Sequence, residues 1–390
     1  MKQNQRGVLL LVKSAITGEA LALPADFDLT AAFALAKKHG ITSLLYYGAL
    51  FCGTDAADPA MQAQFPRVLT EIAVCEKQMA EICRLTDAFD ARGIDYMPLK
   101  GIGLRPLYPK PEMRRMGDAD ILIRTEQYDA IRAVMTELGY AEKEETDHEL
   151  CWEKSPVYIE LHKRLMGEDN KDFKSYFGDG WEYAEPTEGA CRYRMNPEAE
   201  AVYLIAHFAK HYRNGGVGLR PLVDLWLFFQ HHPALDEDLL RTELEKLKLY
   251  TFYTNVMRLQ QAWFGDGETD EITDFITDVI FESEEYGAMR MRTVSGALRD
   301  KKNGGSVAGF TLRRIFRSVF VPFSDMCATY PVLCRLPFLL PLFWIFHFFR
   351  RAAKRGKMKN FVQNYLPTGS EEVSEYQKSL HYVGLDYFFE

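Results

Sequence analysis

Two aspartates one residue apart, Asp118 and Asp120, lead directly into the apolar residues Ile121, Leu122 and Ile123. In an extended strand alternate side chains point the same way, so the two carboxylates share a face and Ala119 and Ile121 take the other. Carboxylates held side by side repel each other unless a cation lies between them. Oxygen donors of this kind suit a hard divalent ion, Mg²⁺ or Mn²⁺. A third acid, Glu160, sits in the middle of the apolar segment "YIEL", where a lone charge is costly. Three acids brought to one cleft by neighbouring strands suit two-metal phosphoryl chemistry, in which one ion activates the attacking oxygen and the other clamps a triphosphate.

Cations precede the acids. In "PLKGIGLRPLY" a strand ends in Lys100-Gly101 and leads into a short helix, whose N–H groups and positive dipole end face an anion. Lys100 adds a point charge there, although a strand-end lysine serves equally well as a solvated one. Arg105, Arg114 and Arg115 are further cations available for phosphates. As ordinary salt bridges, Arg114, Arg115 and Arg124 would instead satisfy the acids. His162 shares the face of Glu160, either lining the cleft or packed as a core histidine. His207 and His211 lie on one helical face, but no third ligand accompanies them, which favours a structural or nucleotide-lining role over metal. Arg220 and Asp224, four apart on a helix, read as a helix-surface ion pair.

These residues need positioning elements. Residues 28–50 and 66–92 read as helices, the second from the stripe of Val68, Ile72, Cys75, Met79, Ile82, Leu85 and Phe89. Gly93 suits the stop. Strands are expected at "IDYMPLK", "DADILIR" and "VYIELHKRL", with a loop at "PKPEMRRMG". Thr125 is expected to cap a helix reaching about Leu138, with Gly139 as its stop. From Asn196-Pro197 onward the pattern is helical, and "KKNGGSVAG" is the expected flexible joint. The layout predicts an α+β protein with a helical region at 1–90, an α/β core at 91–195 and a helical region at 196–390.

The segments "LKGIGLRPLY…RRMGDADILI…YIELHKRL" resemble the nucleotidyltransferase fold of the DNA polymerase β-like superfamily, and most closely its bacterial nucleotidyltransferase family that opens this unit with Leu-Lys-Gly. The resemblance implies a small mixed sheet and a metal-binding pair at Asp118 and Asp120. It makes Glu160 the third acid, which binds metal or deprotonates the acceptor hydroxyl. Lys100 and Gly101 stand where the triphosphate-contacting turn belongs, with Lys-Gly in place of the usual Gly-Ser. An NTP is the implied substrate, and the element bearing Arg220 and Asp224 is implied to face the cleft rather than to form a surface pair. Two other readings stay open: a nucleotide-binding protein of the same fold without chemistry, and a glycosyltransferase using Asp118-x-Asp120 for a nucleotide sugar. The second expects an α/β unit upstream, where 1–90 reads as helical.

Composition bounds the rest. The chain has 390 residues, nearly half of them apolar, and a net charge of −8. That balance argues against a long nucleic acid as acceptor and favours a small molecule or a protein. Seven cysteines without a CxxC pair indicate reduced thiols and a cytoplasmic location. The five-residue apolar run before Lys13 is too short for a signal-peptide core. Residues 336–349 are the most apolar segment but fall short of the ~18 to 20 residues a spanning helix needs. With the basic stretch to Lys359 they read as a core helix with a solvated basic end, or as a peripheral membrane contact through 336–359.

Overall fold

The computed structural model describes residues 3–187, 191–283, 289–302, 304–353 and 369–386. The fold is α+β. Four helices come first: α1 (Gln3–Thr17), α2 (Leu29–His39), α3 (Thr42–Phe51) and α4 (Pro59–Asp90). The single helix expected over 28–50 is two, because Gly40 takes φ +66° and closes α2. The helix α4 starts before residue 66: Asp58 accepts from the Ala60 N–H at 2.7 Å, and Pro59 follows at the first turn. Pro66 lies inside it, where it removes one helix hydrogen bond.

Five strands form one sheet: β1 (Tyr96–Pro98), β2 (Ala119–Ile123), β3 (Ala141–Glu145), β4 (Glu149–Lys154) and β5 (Val157–His162), in the order β1-β2-β5-β4-β3. The pair β2–β5 is parallel and the others antiparallel. The sequence assigned no strand to 141–154. All five residues of β3 are exposed and four are charged, so neither apolar alternation nor burial marks that strand. Between β1 and β2 lies α5 (Lys100–Leu104), and between β2 and β3 lies α6 (Tyr128–Glu137). Thr125 does not cap α6: it opens a 3₁₀ turn, and Gln127 stands at the N-cap without a side-chain bond.

Alternation gives the sheet two unlike faces. Ala119, Ile121, Ile123, Ile159, Leu161, Leu150 and Trp152 pack with Ile82, Leu85 and Phe89 of α4 and Ile131, Val134 and Met135 of α6. The face turned away from this core carries Asp120, Glu160 and His162.

A two-stranded ribbon, β6 (Ala184–Pro186) and β7 (Tyr193–Met195), follows α7 (Lys171–Phe177). Next come α8 (Pro197–Arg213), whose start is capped by Asn196 accepting from Ala199 N–H at 2.8 Å, and α9 (Arg220–His231). Then follow α10 (Glu237–Lys246), α11 (Tyr250–Phe264) and α12 (Glu271–Glu282). The contacts divide the chain into two units, Met1–Lys210 with Val217–Glu285, and His211–Gly216 with Tyr286–Glu390. The second unit holds α13 (Met289–Lys302), α14 (Val307–Val319), α15 (Phe323–Thr329), α16 (Leu340–Ala353) and α17 (Ser370–Tyr382). Of the expected joint at 301–309, Asn303 lies outside the described residues. All seven cysteines are free.

Candidate active site

The parallel register of β2 and β5 sets Asp120 opposite Glu160 and Leu122 opposite His162. Ligand atoms of Asp120, Glu160 and His162 all lie within 4.8 Å of one another. His162 Nε2 is 2.8 Å from Asp120 Oδ1 and 3.7 Å from Glu160 Oε2. The histidine lines the acidic face, and its Nδ1 is buried without a partner. Glu149 and Cys151 of β4 form a second such group with Glu160. Asp118, one residue before β2, stands outside both groups.

The turn before α5 is tied to the same strand. Leu99 N–H donates to the Asp120 carbonyl at 2.9 Å, and Lys100 Nζ reaches Asp120 Oδ1 at 2.8 Å. Lys100 is therefore turned inward, only 16% exposed, and is not a solvated strand-end charge. Its φ of +36° is unusual for a side-chain-bearing residue and fixes the sharp entry into α5. Gly101 is closely packed: a Cβ there would lie 2.8 Å from Met116 Sδ and 3.1 Å from Arg114 Nη1, so those side chains would have to shift. Across from Lys100 stands α8, with His207 Nε2 at 3.4 Å from Nζ and Tyr203 beside it.

Charge is unevenly compensated here. Burial alone would raise the Asp120 pKa, but the Lys100 ammonium and the His162 hydrogen bond outweigh it and hold the carboxyl well below the usual range. Burial depresses the Lys100 ammonium, and Asp120 overrides this, so the lysine stays charged. Asp118 is raised, by burial first and by Asp120 second. Glu160 is pushed up to about 8 by burial and by the negative charges of Asp118 and Asp120. One lysine thus serves several acids, and oxygen donors with excess negative charge fit a divalent cation.

The arginines take other posts. Arg114 is buried and bidentate on Asp224, Nε to Oδ1 at 2.7 Å and Nη2 to Oδ2 at 2.9 Å, and Tyr108 donates to the same Oδ1 at 2.7 Å. This places Arg114 in a buried ion pair, and Asp224 inside the fold rather than in a surface pair. Arg220 donates to the Arg115 carbonyl at 3.1 Å, and Arg124 pairs with Asp95 at 2.7 Å. Arg105 is 5% exposed, donating to the Arg114 carbonyl and to Gln78 Oε1. A cavity of about 590 Å³ is lined by Arg67, Gln78, Arg105, Arg114, Arg115 and Gly117, among others, and the acids Asp118, Asp120 and Glu160 are not among its lining residues.

Sequence reasoning missed Glu149, Cys151 and Tyr203. The alternation of "ELCWEK" and the step from Tyr203 to His207 were the available signals.

A small mixed sheet with acids on one face, helices on the other and a Lys-Gly turn tied to the acidic strand defines the class expected from the sequence, a nucleotidyltransferase core. The family model described as "Uncharacterised nucleotidyltransferase" matches residues 25–265, and the chain belongs to that family. No curated protein and no solved structure matches the chain. The upstream α/β unit that a glycosyltransferase reading needs is not found: the described residues before β1 form α1 to α4.

Proposed function

We propose that this protein transfers a nucleoside monophosphate from an NTP to an acceptor hydroxyl on a small molecule or a protein. The observation that carries the reading is the convergence of Asp120, Glu160 and His162 on one sheet face beside Lys100, in a chain of a nucleotidyltransferase family. Asp120 and Glu160, with Asp118 at the strand entrance, would hold Mg²⁺ or Mn²⁺, and the ion would supply charge neutralisation on the phosphates. Glu160 accepts the acceptor's proton as the new O–Pα bond forms and the Pα–O–Pβ bond breaks. Pyrophosphate leaves with both bonding electrons, its charge offset by Lys100. His162 holds Asp120 in its ionised form and fixes its orientation.

The experiment is incubation with labelled NTPs, Mg²⁺ and cell extract. Label transfer that Asp120→Asn abolishes supports the reading; equal transfer by that variant removes it. The occupation of Asp120 by Lys100 favours a second reading, nucleotide binding without transfer. Calorimetry showing NTP binding with no pyrophosphate release would select it.

A further inference from the structure

The second unit carries charge and apolar surface that the acidic site does not use. Residues 301–370 hold twelve lysines and arginines against one acid, Asp325. That segment is therefore +11 within a chain of −8, and the remainder carries −19. Along α14, Leu312 and Phe316, continued by Phe320 at its end, recur at four-residue steps and are exposed. Along α16, Leu342, Ile345, Phe346 and Phe349 form a second exposed stripe, each at least 56% exposed, and Phe338 just before it is 73% exposed.

These are not the inner faces of an unfinished core. The packed side of α16 is the one bearing Phe343 and Trp344, which rest on Met326, Tyr330 and Leu333. Trp344 Nε1 donates to the Val321 carbonyl at 2.8 Å, and its ring lies 5.0 Å from Phe320 at the end of α14. The expectation of a core helix over 336–349 is thereby corrected. Exposed arginines border the stripes: Arg317 follows Phe316, Arg350 follows Phe349, and Arg335 precedes Leu336 and Phe338. Lys354, Arg355, Lys357 and Lys359 lie outside the described residues.

We propose that α14 and α16, with Phe338, form an interfacial surface that binds an anionic lipid bilayer. The apolar stripes enter the acyl boundary and the arginines meet lipid phosphates. No helix among the described residues is long and apolar enough to cross a membrane, so the contact is peripheral. A nucleic acid would use the same positive charge, but it gains nothing from exposed Leu342, Ile345 and Leu312.

The test is co-sedimentation of the full chain with vesicles of phosphatidylcholine alone or with added phosphatidylglycerol. Binding should be at least about tenfold stronger to the anionic vesicles and should weaken as salt is raised. The double variant Leu342→Glu, Phe346→Glu should lose about tenfold in binding while its far-UV circular dichroism is unchanged, since both positions are exposed. Three results overturn the proposal. The chain stays in the supernatant with anionic vesicles, or the double variant binds them as well as the natural chain does. The third is a concentration-dependent dimer, or binding to duplex DNA, that the double variant abolishes while vesicle binding is absent. None of these outcomes depends on nucleotidyl transfer.

Discussion

Two buried charge clusters lie in the first unit, and they differ in one respect. At Arg114 and Asp224, a guanidinium meets a carboxylate through two parallel bonds and Tyr108 takes a further lone pair. Charge is matched one to one, and the carboxylate takes three hydrogen bonds. At Asp120, one lysine and one histidine converge on a single oxygen while Glu160, Glu149 and Asp118 stand near. The first arrangement locks the elements that carry it; the second holds unbalanced negative charge at a fixed place. On this contrast the first cluster acts as a brace, and the second is where the proposed chemistry would lie.

Substitutions can break this contrast. Asp120→Asn should lower nucleotidyl transfer by about 10³-fold or more, read with labelled NTP. The double variant Lys100→Met, Asp120→Asn should restore thermal stability lost by the single change without restoring transfer. A double variant that recovers activity would make the acidic cluster a brace like the other. At the balanced cluster, Asp224→Ala leaves a buried guanidinium unpaired and should cost ~3–5 kcal/mol in urea unfolding. A loss under about 1 kcal/mol would mean that water reaches Arg114.

Much of this contrast lay in the sequence, but unevenly. The strands β2 and β5 were legible because acids interrupt apolar runs at alternate positions, and that same alternation assigns the faces. The partner of Asp224 was not legible: Arg114 is 110 positions away, and four-residue helical spacing pointed to Arg220 instead. Lys100 was visible as a cation at a turn, yet its capture by Asp120 depends on how β1 and β2 pair. The β3–β4 hairpin stayed hidden because its outer strand is exposed throughout and charged at four of five positions.

The raised Glu160 supplies a pH test in metal-free protein. Its folded-state pKa, about 8, exceeds the ordinary 4.5, so its contribution to stability is full below about 4.5 and is lost as pH rises through 8. Glu160→Gln lacks that loss, so its melting temperature should gain on the natural chain across this window under chelator. Parallel melting curves would mean that a counter-charge reaches Glu160. The smallest effect is expected at the half-exposed Arg124–Asp95 pair, where Arg124→Ala should cost below ~1 kcal/mol.

The side-by-side register of Asp120 and Glu160 has a consequence for how such proteins diversify. Both acids are fixed by neighbouring parallel strands, so their distance in space does not depend on how much chain is threaded between them. The 39 intervening residues include the exposed strand β3, which pairs with β4 alone. Lengthening or trimming the link between α6 and β3 alters the outline of the sheet's far edge and leaves the acids in place. A pattern built on fixed intervals would therefore overlook relatives that a pattern built on strand adjacency would recover.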